Sequence, residues 1–416
     1  MKNILIYLLS NISNGLLPLA LLPLFTKYLS PIEYGFVALF QMFFVFFRSM
    51  SGISYVTACE RNYFSKGFCN TTYVNASFNL IIATSFILFI FVYLFSESIS
   101  KATELNSRYI FQAIASGAFA VIVQLRLSQW QVEKNALRYG FLQLLLGLMN
   151  NLLAIALVVY LDMGVEGRVD SIFYTYMVFC LICYFSLYKE NKINLSIGSN
   201  NVYKEIICFS LPLLPHLFGV LLLTVFDRFV LKMNLGLEMV GIYMVGFQLM
   251  ASVGILSDAF NKFFSPIQME LLANESLDSS KLLVKYIYMW MVFISVCGLF
   301  SIMLLDFFTK YFLDEEYVKV TDIIPWLALG QIFNGIYITL LNVIYFSKKT
   351  ASLSISTLIV SCIHIVVFYV MTNLYGLEGA GIAFSISMAI RLIFTFILSN
   401  MVLPLPWLLR KSELSG

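Results

Sequence analysis

Charged side chains are scarce in this sequence. They make up 12% of its 416 residues, whereas about a quarter of the residues of a typical soluble domain are charged. Apolar residues make up 60%, and no polar stretch is long enough to form a soluble catalytic domain. The composition therefore excludes an ordinary soluble enzyme and indicates a polytopic membrane protein.

Two kinds of chemistry also lack their sequence signals. No G-x-x-x-x-G-K-[ST] motif occurs, so we expect no ATP hydrolysis in this chain. The acidic stretch "DEEY" at 314–317 has no histidine nearby and no second acidic cluster, which favours a solvated loop over a metal site. We expect no catalytic residue, no metal and no nucleic-acid partner.

Cysteine is present, but its placement argues against disulfides. Five of the seven cysteines fall in apolar runs, and none falls in a loop that we predict to be outside. Cys180 and Cys183 form a C-x-x-C spacing, but no second pair or nearby histidine completes a site. We interpret them as packing residues.

Long apolar runs recur along the whole chain. About 20 apolar residues span a bilayer as a helix, and twelve such runs are present. We predict an all-α protein with spans at about 7–29, 36–57, 74–95, 110–128, 141–161, 171–188, 206–231, 241–260, 284–305, 323–346, 351–372 and 381–402. The first is interpreted as a retained span and not a signal peptide, because no small-x-small cleavage site precedes its end.

The basic residues predict an orientation. With the N-terminus inside, sixteen of the 26 Lys and Arg fall on the inner side and seven on the outer side. The other three, Arg48, Arg228 and Arg391, lie within spans. Inner loops are the ones enriched in Lys and Arg, so both termini are expected in the cytoplasm.

The sequence repeats weakly at half its length. "GVEG" at 164–167 matches "GLEG" at 376–379. Pro18 and Pro23 break the first span as Pro212 and Pro215 break the seventh. Six spans per half is an even number, so we predict two parallel six-helix bundles around a central cavity, at 1–200 and 201–416. The prolines are candidate bending elements for alternating access or, equally, static kinks.

Several segments resemble one family. "LLPLFTKYLSPIEYGFVALFQ", "FSLPLLPHLFGVLLLTVFDRFVLKMNLGLEMVGIYMVGFQL" and "YGLEGAGIAFSIS" are similar to the polysaccharide transporter branch of the multidrug/oligosaccharidyl-lipid/polysaccharide exporters. In this branch Asp227 and Arg228 match the pair before the outer loop. The resemblance implies a flippase of the bacterial inner membrane for undecaprenyl-diphosphate-linked oligosaccharides, resembling O-antigen flippases. It also implies that the protein contacts membrane lipids. Its expected pathway partners are a polymerase and a chain-length regulator.

Two arginines are the principal candidates for binding such a cargo. A charge at mid-bilayer costs about 2.5–3.5 kcal/mol on insertion scales, yet Arg48 and Arg391 each lie near mid-depth, one in each half. A guanidinium pairs bidentately with phosphate and stays charged. We expect both to bind the diphosphate, with a structural pairing to another span as the alternative.

Other polar residues in the spans are weaker candidates. His216 and His364 could bind phosphate or, equally, form core hydrogen bonds. Arg126 could line the cavity or snorkel to the cytoplasm, and Asn150 could bind sugar or a neighbouring span. Asp227 with Arg228 is interpreted chiefly as an ion-paired end cap. Asp258 is a candidate for H⁺ or Na⁺ coupling, although Lys262 at i+4 favours a surface pair.

Three other functions stay open. A cationic-drug exporter of the same superfamily would need mid-membrane carboxylates, whereas this chain has mid-membrane arginines. A membrane polysaccharide polymerase would need a large outer loop or an acidic metal motif, and neither is visible. A scaffold without transport would leave the buried arginines unexplained.

Overall fold

The computed structural model describes residues 13–66, 71–194, 200–274, 276–347 and 350–407. Within these ranges the chain is helical and has no strand. The helices of the first part are α1 (described over 13–20), α2 (Leu22–Tyr28), α3 (Pro31–Gly52), α4 (Tyr55–Lys66), α5 (Thr71–Thr103), α6 (Ser107–Val132), α7 (Ala136–Ile155), α8 (Gly164–Lys189), α9 (Asn200–Ser210), α10 (Leu214–Thr224) and α11 (Asp227–Leu235). The remaining helices are α12 (Leu237–Ala273), α13 (Leu277–Phe312), α14 (Val320–Phe346) and α15 (Thr350–Val402).

Local sequence explains where α3, the helix that carries Arg48, begins and ends. Ser30 is its N-cap: the hydroxyl accepts from the Glu33 backbone, and the Glu33 carboxylate accepts from the Ser30 backbone. Pro31 occupies the first turn, where its missing N–H costs nothing. The helix ends where Ile53 adopts a left-handed conformation. Arg48 is therefore held one turn from the end of a rigid 22-residue helix.

The prolines of the first and seventh spans lie at helix interruptions. The helix breaks at Leu21, between α1 and α2, and Pro23 stands in the first turn of α2. Pro212 lies in a 3₁₀ segment, Leu211–Leu213, and Pro215 opens α10. Pro18 lies inside α1. Both spans are thus interrupted close to their prolines, and a function of these prolines as bending elements stays a prediction.

The structure confirms the fold class. Ten helices of the described residues are long and apolar enough to cross a membrane, and they coincide with predicted spans two to twelve. The last of them, α15, contains two predicted spans and changes direction at Gly376. The first predicted span lies partly outside the described residues. The protein is therefore an all-α, multi-pass membrane protein.

One predicted inner loop and one predicted outer loop are shorter in the structure than the sequence indicated. The inner loop predicted around Pro266 is largely helical: α12 continues through Pro266 to Ala273, and α13 begins at Leu277. Helix α8 begins at Gly164, before the predicted start of the sixth span, so Arg168 lies in a helix and not in an outer loop. Hydropathy locates the apolar part of a helix, whereas backbone hydrogen bonding continues into polar sequence.

Contacts divide the chain into two compact units, Met1–Gly241 and Ile242–Gly416. Helices α9, α10 and α11 pack within the first unit, against α3, α4 and α5. The division by contacts therefore falls later than residue 200, where the repeat places its boundary. The halves 1–200 and 201–416 stay a prediction about the repeat.

The two G-x-E-G segments have the same local geometry in their separate units. Gly164 and Gly376 both have positive φ, +51° and +60°, a conformation that favours glycine. Three residues later, Gly167 and Gly379 each lie against the preceding helix, where a Cβ would come within 3.0 Å of backbone atoms of Leu157 and Met371. This recurrence at an offset of 212 residues supports the repeat.

Candidate functional site

Arg48 lies where α3 and α6 approach each other closely. Across from it in α6 is Gly117, where a Cβ would come within 2.7 Å of the Arg48 backbone nitrogen. The guanidinium Nη2 donates to the side-chain oxygen of Gln124 on α6 at 3.4 Å. Among the described residues no carboxylate lies within 4 Å of it, so its positive charge is hydrogen-bonded but not neutralised.

Arg391 has the same kind of environment in the second unit. Its guanidinium donates to the Asn334 side chain at 3.4 Å and to the Tyr337 hydroxyl at 3.0 Å, both on α14. It also lies 3.9 Å from the centre of the Tyr337 ring, a cation–π distance. Its Nε is buried and has no hydrogen-bond acceptor among the described residues. This guanidinium also retains its net charge.

Three other arginines of the first unit, Arg108, Arg126 and Arg138, have carboxylate partners. Arg108 binds Asp170 through both carboxylate oxygens, at 3.1 and 3.2 Å, and Gln112 donates to the same carboxylate. An ion pair cancels charge, whereas an amide partner leaves it in place. The partners therefore separate arginines that are neutralised by a carboxylate from arginines that are not.

Arg126 is not a cavity residue in this structure, contrary to one of our two interpretations. Its side chain is 0% exposed and forms an ion pair with Glu190. It also donates to Gln129 and stacks 4.5 Å from the centre of the Trp130 ring. Burial alone would disfavour the ionised form of Glu190, but hydrogen bonds from Arg126 and Lys192 outweigh it and lower the pKa of Glu190. This cluster fastens the predicted cytoplasmic ends of α6 and α8.

The two histidines differ in environment. His364 is buried, its Nδ1 is 2.8 Å from the Ser387 hydroxyl, and its ring packs against Phe368. That is the hydrogen-bonded core histidine that we left open as the alternative. His216 is half-buried in α10, directly after Pro215.

Asn150 does bind a neighbouring helix, and its partner is a residue that the sequence did not single out. Its side-chain oxygen accepts from Nη1 of Arg168 on α8 at 3.0 Å. Arg168 escaped notice because hydropathy places it in an outer loop. Asn150 could be recognised in the sequence because it is a polar residue within a span. Nothing in the sequence identifies Arg168 as its partner.

The acidic candidates have local functions in this structure. Asp227 begins α11 and accepts from the Arg228 backbone at 2.8 Å, so it stabilises the positive end of that helix. Arg228 donates to the Thr224 carbonyl at 3.5 Å. Asp258 is exposed on α12, and it forms no ion pair with Lys262 among the described residues. The predicted i,i+4 pair is therefore absent from the described residues, and coupling through Asp258 stays a prediction.

The apolar groove of the second unit is separate from these arginines. A cavity of about 540 Å³ lies between α12 and α13 and is lined only by apolar and aromatic side chains, among them Phe263, Met289 and Phe293. These three side chains are more than half exposed. Such a surface suits contact with hydrocarbon and does not suit a polar head group.

Comparison with known proteins agrees with this architecture. Residues 1–260, more than half of the chain, match the family described as "Polysaccharide biosynthesis protein". A protein of the Lsg locus of Haemophilus influenzae is 24% identical over 401 residues, which cover 93% of this chain and 95% of that protein.

Two solved structures show the same fold. One is an inward-facing multidrug resistance MATE family transporter of the MOP superfamily, with a TM-score of 0.75, 14% identity and coverage of 93% of this chain and 94% of that one. The other is the lipid II flippase MurJ in an inward closed conformation, with a TM-score of 0.68, 17% identity and coverage of 94% and 87%. Both likenesses are below 25% identity, so they show the fold of the chain. The family match over residues 1–260 covers more than half of the chain, which therefore belongs to the polysaccharide biosynthesis protein family.

Proposed function

We propose that this protein is a flippase that moves an undecaprenyl-diphosphate-linked oligosaccharide, an O-antigen repeat unit, from the cytoplasmic to the periplasmic leaflet of the bacterial inner membrane. Transport would proceed by alternating access, with both termini in the cytoplasm. A gradient of H⁺ or Na⁺ would drive it, since the chain has no nucleotide-binding loop. A polymerase and a chain-length regulator would use the product.

The observation that carries this proposal is the environment of Arg48. Such a cargo has a polar, anionic head that cannot cross hydrocarbon, because isolated ionised groups are very costly there. Arg48 offers a positive charge within a span, held in place by the neutral Gln124 amide. A diphosphate bound there would give that charge the partner that the described residues do not supply. Arg391, held by Asn334 and Tyr337, offers a second such charge.

The test is export by variants at Arg48 in a flippase-deficient strain, scored by surface polysaccharide and by membrane protein level. A hydrogen bond to a charged group contributes about 1.5–3 kcal/mol, so Arg48→Ala should weaken diphosphate binding on the order of 10- to 100-fold and abolish export. Arg48→Lys should retain part of the export, because the charge remains but the planar fork is lost.

A second variant separates binding from packing. Gln124→Glu has the same shape as the native side chain and places a carboxylate beside Arg48, so it should preserve or strengthen the α3–α6 contact while neutralising the charge. We expect normal protein level and no export. Full export by a normally expressed Gln124→Glu or Arg48→Ala variant would exclude the diphosphate-binding function of Arg48.

A drug exporter is the second candidate, because the MATE fold is also shared. The charge pattern argues against it. The buried carboxylate of Asp170 already binds Arg108, whereas Arg48 and Arg391 retain a positive charge that would repel a cationic drug. Drug resistance conferred by the expressed protein, without polysaccharide export, would favour this candidate instead.

A further inference from the structure

We propose that Arg168 and Asn150 form a second anion-binding site, for a phosphate-bearing head group, near the predicted periplasmic end of the first unit. The proposal rests on the flippase function and adds a second binding site for the head group during transport. The site is built from α7 and α8, with the α2 and α3 side chains described next.

The first step is the charge of Arg168. Its Nη1 donates to Asn150 at 3.0 Å and to the Ser171 hydroxyl at 3.3 Å, and both partners are neutral. Its guanidinium lies 5.3 Å from the centre of the Phe25 ring. No ion pair of the described residues includes Arg168. Arg168 is thus the same kind of arginine as Arg48 and Arg391.

The second step is the capacity to bind. The hydrogen bonds of Arg168 within the described residues use Nη1, so Nε and Nη2 remain as donors. Asn150 uses its oxygen for Arg168, which leaves its NH₂ group as a further donor. Arg168 is half-buried and not enclosed, so part of the residue remains exposed in this structure. Three nitrogen donors around one positive charge suit a phosphate group.

The third step is the distance from Arg48. Glu33 in the first turn of α3 lies beside Gly164, the first residue of α8, and Arg168 lies one turn farther along α8. Arg48 follows Glu33 by fifteen residues on the same unbroken helix. At about 1.5 Å per residue, the Arg48 backbone lies about 22 Å along α3 from the level of Gly164, and one turn of α8 brings the Arg168 backbone at most about 6 Å closer. The two backbone positions are thus about 16 Å or more apart, and Arg168 would contact the head group at a different stage of transport from Arg48.

The experiment measures the number of inorganic pyrophosphate ions that the purified full-length protein binds, by calorimetry in a detergent that has no phosphate. Arg168→Gln should bind one pyrophosphate fewer than the native protein and leave the remaining affinity within twofold. Asn150→Asp should give the same loss, because a carboxylate beside Arg168 neutralises it while preserving the contact. Arg138→Gln removes the same charge from an exposed, ion-paired position and should leave the number unchanged.

The outcomes separate this site from a structural clamp and from Arg48. If Arg168 only holds α7 against α8, Asn150→Asp would bind as many pyrophosphate ions as the native protein, and the proposal is overturned. If Arg168→Gln does not fold, Arg168→Lys keeps the charge and should bind at least fivefold more weakly at this site; unchanged affinity overturns the proposal. A loss in Arg168→Gln with none in Arg48→Gln would instead contradict the proposed function of Arg48 and leave this site standing.

Two sources of the head group can then be distinguished. If the cargo occupies the site, Arg168→Gln and Asn150→Asp should lower polysaccharide export at normal protein level. If a membrane phospholipid occupies it, export should stay normal, and less phosphatidylglycerol should copurify with the variants. Either result supports the anion site.

Discussion

Removing the negative charge of Glu190 should destabilise the protein strongly. Glu190 neutralises Arg126, whose side chain is 0% exposed, while 33% of the Glu190 side chain is exposed. Removing one partner of a buried ion pair costs about 3–5 kcal/mol, because the other charge remains buried. Water that reaches Glu190 reduces this cost, so we expect about 3 kcal/mol for Glu190→Gln, on the order of a 100-fold change in the folding equilibrium.

The assay is the thermal midpoint of the purified protein in detergent, followed by loss of the monodisperse peak. Glu190→Gln should lower the midpoint clearly. The double variant Arg126→Met with Glu190→Gln should recover most of the loss, because replacing a buried pair by apolar groups is often neutral. The matched control is Glu133→Gln, which removes a carboxylate that binds Lys192 and not Arg126. Lys192 keeps its pair with Glu190, so the thermal midpoint should change little. An unchanged midpoint for Glu190→Gln, or a double variant no more stable than it, would refute the assignment of Arg126 to a structural pair.

Two further predictions concern pH and packing. Because the pKa of Glu190 is lowered in the folded protein, its contribution is present above the ordinary glutamate pKa of about 4.3 and is lost as the pH falls through the lower folded value. The difference in midpoint between the native protein and Glu190→Gln should therefore shrink below about pH 4, and a constant difference would contradict this. Gly117→Ala should cost about 1–3 kcal/mol and reduce export, because its Cβ would displace the α3 backbone at Arg48. Gly52→Ala is the control, because its Cβ would meet Val121 at an ordinary 3.4 Å. Equal thermal midpoints for the two variants would contradict the prediction, since they would show that α3 can shift away from residue 117 without loss of stability.

Hydropathy was sufficient to predict most of the architecture. A span needs about 20 apolar residues wherever it packs, so the apolar runs located the helices without knowledge of their neighbours. The G-x-E-G segments were also informative, since positive φ at Gly164 and Gly376 depends on local backbone sterics. Helix ends in polar sequence, such as the C-terminal end of α12, were missed because an apolar run ends before the helical hydrogen bonding does.

The sequence by itself determined that arginines are present within the spans; the tertiary structure decided which of them retain a charge. In the sequence, Arg48 and Arg126 are both arginines within mainly apolar spans, and both were candidates for lining a cavity. Arg126 is neutralised by Glu190, 64 residues away, while Arg48 meets the amide of Gln124, 76 residues away. Charge compensation acts over a few ångströms between side chains on different helices, and helix packing brings these atoms together. Hydropathy indicates that placing a charge in the membrane is costly. Only the contacts between helices show which of these charges is neutralised by another side chain and which is not.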